Sequence, residues 1–308
     1  VAKKDKDRED AVDAVDAVAP AVPETGAPVD PGTPPPETHA SALVRITQNL
    51  PPAVVERVQT MLAMMDPNKP GFEEMGGAHW SPPIIKVHQP VSSETPANSK
   101  NGDLFTDTGD VLERPWTFIP IYMHYSHARF EEGNSSPTCR SEDAKTSAYG
   151  DVCADCEDFP FRDGQRTNCQ KSLNVYVFDA EFTQVYRVQF AKTSYRAGSK
   201  LFKQARSTPM PWSRTYVLTT QEKSRQEGSG KYFVLSVAAT GEGVDPQFFP
   251  MIEYIYGQLA DLRKKILANI AERSDTGKKV VDNLPQDFGA PADSSTGDNT
   301  KEPDFSEM

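Results

Sequence analysis

All four cysteines of this chain, Cys139, Cys153, Cys156 and Cys169, lie in the single stretch 139–169, and no other feature restricts its folding as strongly. Cys153 and Cys156 form a C-x2-C pair, a turn that aims two sulfurs at one centre, and the other two stand one on either side at loop distance. Thiolates are soft donors, and four of them complete a closed tetrahedral zinc site. The residues between them are small and polar, rich in Asp, Ser, Thr and Gly, so a bound Zn2+ rather than a core would order them. The spacing predicts a structural four-cysteine zinc knuckle over 139–169. Two disulfides, a redox C-x2-C pair or free thiols are the other chemistries open to the same residues. A catalytic zinc fits less well, because four thiolates leave no position for water. His124 and His127, upstream in IYMHYSHARF, could replace one ligand or be strand histidines with no metal role.

Around this stretch the chain reads as an ordered centre between two unfolded ends. With 308 residues it has room for one or two domains, but only 37% are hydrophobic, 26 are proline and the mean hydropathy is −0.58. Residues 1–39 combine KKDKDRED, the repeat AVDAVDAVAPAV and PVDPGTPPPE, and are expected to be a disordered acidic arm. From 274 to 308 a second such tail is expected: from 282 onward it holds Asp282, Asp287, Asp293, Asp298, Glu302, Asp304 and Glu307 against Lys301 alone. No apolar run is long enough to span a membrane and no targeting segment is visible, so the chain reads as cytosolic.

The span 40–273 is expected to be one domain. Helical periodicity runs through ALVRITQNL and, after Pro51 and Pro52, through AVVERVQTMLAMM. Strand signals follow in PPIIKVHQPV, in GDLFTDTGDVLERPWTFIPIYMHYSHARF, in SLNVYVFDAEFTQVYRVQFAK, and in WSRTYVLTTQEKS and GKYFVLSVAAT, the last two joined by the turn EGSG. A final helix starts at Pro246, with Phe248, Ile252, Ile255, Leu259, Leu262, Ile266 and Ile270 at helical spacing. The expected fold class is β-rich α+β. Five to seven strands would form an OB-like antiparallel barrel or a curled sheet, with flanking helices and the knuckle inserted between two strands.

Net charge is −11, which by itself argues against a nucleic-acid partner, but the charge is unevenly spread. Between 161 and 233 thirteen Lys and Arg face five Asp and Glu. The candidate nucleic-acid-binding residues in this region are Arg187, Lys192, Tyr195, Arg196, Lys200, Phe202, Lys203, Arg206, Trp212 and Arg214, densest in KTSYRAGSKLFKQAR. Cations follow a phosphate backbone and rings stack on unpaired bases whatever their identity, so this mixture suits a sequence-tolerant single-strand binder. The plainer reading is a solvated basic face over core aromatics. The acidic tail, with Asp304, Phe305 and Glu307 near its end, would compete with DNA for a basic groove and, once freed, recruit partner proteins; alternatively it only solubilises.

On IPIYMHYSHARF, on CRSED followed by C-x2-C and a fourth Cys, on FAKTSYRAGSKL and on the acidic tail carrying Phe305, the chain resembles the single-stranded-DNA-binding proteins of tailed bacteriophages and their replication and recombination modules. The resemblance covers about residues 105–240. It implies an OB-type barrel, in some cases with zinc, that coats single-stranded DNA in replication, recombination or early transcription inside the host cytoplasm, without catalysis. Zinc-bearing members commonly use a His ligand, where this chain offers four Cys. Enzyme motifs are missing: there is no G-x4-G-K-[ST], no G-x-G-x-x-G and no H-x-E with P-C-x-x-C. Three other roles are weighed: a phage transcription cofactor that recruits RNA polymerase, a structural or virion protein, and an accessory to a nuclease or recombinase.

Overall fold

A computed structural model of the chain describes residues 44–65, 81–90, 95–131, 137–159, 167–224 and 230–275. The chain divides into Val1–His39 and Ala40–Met308, and every described residue belongs to the second unit. The expected arm at 1–39, the hairpin turn EGSG up to Ser229, and the tail with Asp304, Phe305 and Glu307 lie outside the described residues.

Nine strands among the described residues form one sheet. They are β1 (Ile84–Val87), β2 (Leu104–Thr106), β3 (Val111–Leu112), β4 (Trp116–Arg129), β5 (Cys139–Ser141), β6 (Cys169–Asp179), β7 (Val185–Ala191), β8 (Arg214–Ser224) and β9 (Lys231–Gly243). Three helices of more than two turns accompany them among the described residues: α1 (Pro52–Met65), α2 (Tyr195–Arg206) and α3 (Phe249–Asp275). The order across the sheet is β3-β2-β1-β7-β6-β4-β8-β9, with β5 added to the end of β4.

The long β4 and β6 pair from Phe118↔Asp179 to Arg129↔Cys169 and form the spine. Alternation along β6 sends Leu173, Val175 and Val177 to one face and Asn174, Tyr176 and Phe178 to the other. A bulge between Pro120 and Tyr122 shifts the register of β4, and Ile121 and Tyr122 both turn to the second face. The first, inner face packs Phe118, Val188, Phe190, Tyr216 and Leu218 against Leu201 of α2. The outer face packs Ile119, Phe178 and Val185 against Val58, Met61 and Leu62 of α1 and Met251, Ile252 and Ile255 of α3.

The sheet curls into a half-barrel. Past the end of β1, Gln89 bridges to β9: its Nε2 donates to the Phe233 carbonyl (2.7 Å) and its Oε1 accepts from the Phe233 amide (2.9 Å). Beside it the Gly102 carbonyl accepts from Arg114 (2.8 Å) and Thr220 (2.7 Å). Gly102 adopts φ +84°, and a Cβ there would stand 2.7 Å from the Phe233 ring, so glycine is needed on both counts.

The β-rich α+β class, the curl and the flanking helices therefore stand. Three expectations are corrected, the first being the strand count, nine among the described residues where five to seven were expected. The sheet is mixed: β1 runs parallel to β7, through Ile84↔Arg187 and Ile85↔Val188, where an antiparallel sheet was expected. That pair joins segments far apart in sequence, beyond the reach of local pattern. Nor does the sheet close as an OB barrel; β3 and β9 end it, and side chains instead of a ladder bridge the rim. No helix among the described residues is long and apolar enough to cross a membrane.

Candidate nucleic-acid interface and cysteine cavity

The basic stretch 192–206, expected as an exposed surface with no stated secondary structure, is a helix. Gly198, Leu201 and Ala205 are its buried residues, at three- and four-residue steps. Gly198 lies against Phe190 so closely that a Cβ there would be 2.5 Å from the Phe190 Cβ. The opposite side is cationic. Arg196, Lys200, Lys203 and Arg206 are all exposed, and steps of four, three and three residues keep them on one side of α2, whose sequence holds no acid. Lys203 and Arg206 also sit in the last turn, where the helix dipole favours them. Among the described residues none of the four takes part in an ion pair.

Tyr195 and Phe202 are half-buried on the flank of α2 against Tyr125 of β4. Ring centroids are 6.4 Å apart for Tyr125–Tyr195 and 5.4 Å for Tyr125–Phe202. The Lys171 ammonium of β6 stands 4.5 Å over the Tyr125 ring and 5.9 Å from the Tyr195 centroid. Lys192 is exposed in the turn before α2, at φ +49°, and Arg214 is exposed at the start of β8. Two candidates are corrected. Arg187 is only 3% exposed, because it occupies the middle of β7 between β1 and β6 on the α3-facing side. Trp212 is 7% exposed and fills the outer core beside Tyr256 (5.4 Å). Neither can touch a ligand in this fold. Sequence reasoning did not single out Tyr125 and Lys171 as neighbours of these rings; the alternation in IYMHYSHARF was the available signal for Tyr125.

The four cysteines line one cavity of about 200 Å³, shared with His127, Arg129, Tyr149 and Phe159. Strand pairing brings two of them together: Arg129 of β4 is opposite Cys139 on one side and Cys169 on the other. Cys153 and Cys156 belong to a 3-10 turn, with the Cys156 amide donating to the Cys153 carbonyl (3.2 Å) and the Cys153 amide to the Lys145 carbonyl (2.7 Å). Asp143 shapes the preceding loop by accepting from the amides of Lys145 (2.8 Å) and Thr146 (2.7 Å) and from Ser141 Oγ (3.0 Å). All four cysteines are free thiols. Burial, then the neighbouring Cys153, Cys139 and Cys156, push the Cys169 thiol up to about 12, and burial raises Cys139 and Cys153 as well. Among the described residues no group of three or more His, Cys, Asp or Glu is arranged so as to hold a metal ion. The donor set itself, four free thiols around one space, is one that zinc takes.

The two histidines part company. His127 lines the cysteine cavity, edge-on to Phe159 (5.5 Å), and burial lowers its pKa. His124 faces the other side of the sheet. There it is sealed under α3 with Glu142, Tyr176 and Arg187, its Nε2 4.0 Å from a Glu142 carboxylate oxygen. Burial, helped by Arg263 and Arg187, pulls its pKa down to about 2. Arg263 of α3 donates to the Glu142 carbonyl and so ties the cysteine-bearing loop to the last helix.

A family model described as Pam3 phage gp34-like protein matches residues 53–265, more than half of the chain and most of the described fold. No curated protein and no solved structure matches the chain.

Proposed function

We propose, for a chain that belongs to the Pam3 phage gp34-like family and so to a group of phage proteins, that it binds single-stranded DNA without sequence preference and without catalysis, in replication or recombination of the phage genome. The observation that carries this reading is the bare cationic row Arg196–Lys200–Lys203–Arg206 on α2, flanked by the half-buried rings of Tyr195 and Phe202. Cations on a fixed helix neutralise phosphates, and release of the counterions they displace drives association. Rings beside the row take up unpaired bases, each stack contributing about 1–3 kcal/mol, which a duplex cannot supply because its bases already stack on each other.

In the same reading Cys139, Cys153, Cys156 and Cys169 hold a structural Zn2+. The ion lowers the thiol pKa values that burial and mutual repulsion raise, and it fixes the loop between β5 and β6. The acidic tail, through Asp304, Phe305 and Glu307, recruits partner proteins of replication, recombination or transcription. Titration of a labelled single strand and the matching duplex, each at two salt concentrations, tests the central claim by anisotropy. Preference for the single strand and a steep fall of affinity with salt are expected. Equal affinity for the two forms, or none for either, overturns it.

A further inference from the structure

The inner face holds an arrangement that neither the sequence motifs nor the cationic row of α2 accounts for. Tyr125, Tyr195 and Phe202 form a ring cluster that is only half-buried, although sealed cores lie on both faces of the same sheet. The rings of Tyr125 and Tyr195 lie side by side, their centroids 6.4 Å apart and their planes tilted by 44°. Over them stands the Lys171 ammonium, on Tyr125 and within 5.9 Å of Tyr195. An ammonium and a nucleobase compete for the same ring face. At an exposed site a cation contributes about 2- to 5-fold to an equilibrium, whereas a stacked base contributes about 5- to 150-fold.

We propose that Tyr125, Tyr195 and Lys171 form a base-stacking subsite, in which Lys171 covers the rings in the free protein and gives way to one unpaired base, its ammonium then pairing with that nucleotide's phosphate. The inference rests on the single-strand reading above and adds the place where that reading discriminates single from double strands. Tyr195 is the residue next to Arg196 and lies on the same helix as Lys200 and Lys203, so a strand whose phosphates follow the row brings its bases past the rings. The rings are already assembled, so binding does not have to order them. A paired base has both faces covered and cannot enter.

The test uses the full chain and a thymidine oligonucleotide carrying a single 5-iododeoxyuridine. After irradiation the cross-linked peptide is mapped by mass spectrometry, and Tyr125→Leu and Lys171→Met are titrated by anisotropy at several salt concentrations. A cross-link on Tyr125 or Tyr195 is expected, with an affinity loss of about 5- to 150-fold for Tyr125→Leu. For Lys171→Met, which removes no ring from the cluster, the logarithmic salt slope should become shallower by about 0.7. A cross-link confined to other residues, together with wild-type slope for Lys171→Met, overturns the subsite and leaves single-strand binding intact. Failure of the unsubstituted protein to bind any oligonucleotide at low salt overturns both. Binding of duplex as tightly as single strand, with the cross-link still on Tyr125, overturns the discriminating role.

Discussion

On the α3 side of the sheet Arg187, Glu142 and His124 are sealed among Tyr176, Leu259 and Arg263; on the α2 side Arg196, Lys200, Lys203 and Arg206 stand in water. Arginine stands in both sets and serves opposite ends. A buried charge loses its hydration and leaves a large penalty if its partner is removed, and burial keeps the His124 imidazole neutral. Exposed charges without carboxylate neighbours keep their field for whatever comes from solution. Arg187 and Arg196, nine positions apart, differ only in where strand and helix geometry put them. A count of cations along the chain therefore says little about how many can meet a ligand.

The largest effect that could break this contrast lies in the cysteine cavity, since its strands β4, β5 and β6 carry both faces. The purified chain should hold one zinc, measured by elemental analysis. Chelation, or Cys169→Ser, should lower stability by about 4 kcal/mol when free zinc had been a thousandfold above its dissociation constant. Because Arg263 donates to the Glu142 carbonyl, α3 amides should also lose protection from hydrogen exchange. A metal-free protein with an unchanged urea midpoint would end the zinc reading.

Next come substitutions that set the sealed and open residues against each other. Trp212→Ala should cost about 3–5 kcal/mol of stability and leave the DNA salt slope of the folded fraction unaltered. Lys200→Glu with Lys203→Glu should change stability by no more than about 0.5 kcal/mol and flatten the salt slope by at least about 1.4. If the pair destabilises the fold and leaves binding untouched, the open row is structural.

The smallest effect is the pH dependence of the sealed cluster. His124 falls from 6.5 to about 2 in the folded chain, so below about 6.5 the unfolded chain binds a proton that the folded one refuses. The stability it supports is present above that value and declines as pH drops. Glu142 is raised by burial above its ordinary 4.5, so its contribution has the opposite sign: present below 4.5 and lost as pH rises through the folded value. Urea midpoints between pH 7 and pH 5 should fall for the parent and fall less for His124→Leu.

Much of the fold was readable because its strongest elements are local. Helices α1 and α3 announce themselves by apolar residues at three- and four-residue steps, and the hairpins β6–β7 and β8–β9 by paired alternating runs. Helix α2 was not read as a helix because its many cations drew notice from Gly198, Leu201 and Ala205, which are spaced for one. The parallel pairing of β1 with β7 has no local signature. Arg187 and Trp212 were read as surface residues from charge and ring content alone. For Arg187 the parity of Val185, Arg187 and Gln189 against Tyr186, Val188 and Phe190 pointed the other way, to a solvent face, because the helices that cover that side are distant in sequence, and nothing local marks Trp212 as a piece of the outer core. The convergence of four thiols followed from spacing; the neighbours that share their cavity did not.

Gly198 rests directly on Phe190, with no room for a methyl group between them. A helix seated that tightly cannot rock or slide without lifting off the sheet, so its four charges form a ruler of fixed gradation, about 15 Å from Arg196 to Arg206 at 1.5 Å per residue. The yielding partner in any complex is then the polymer: a limp strand can bend to the ruler's marks, and a stiff one is turned away by its own rigidity.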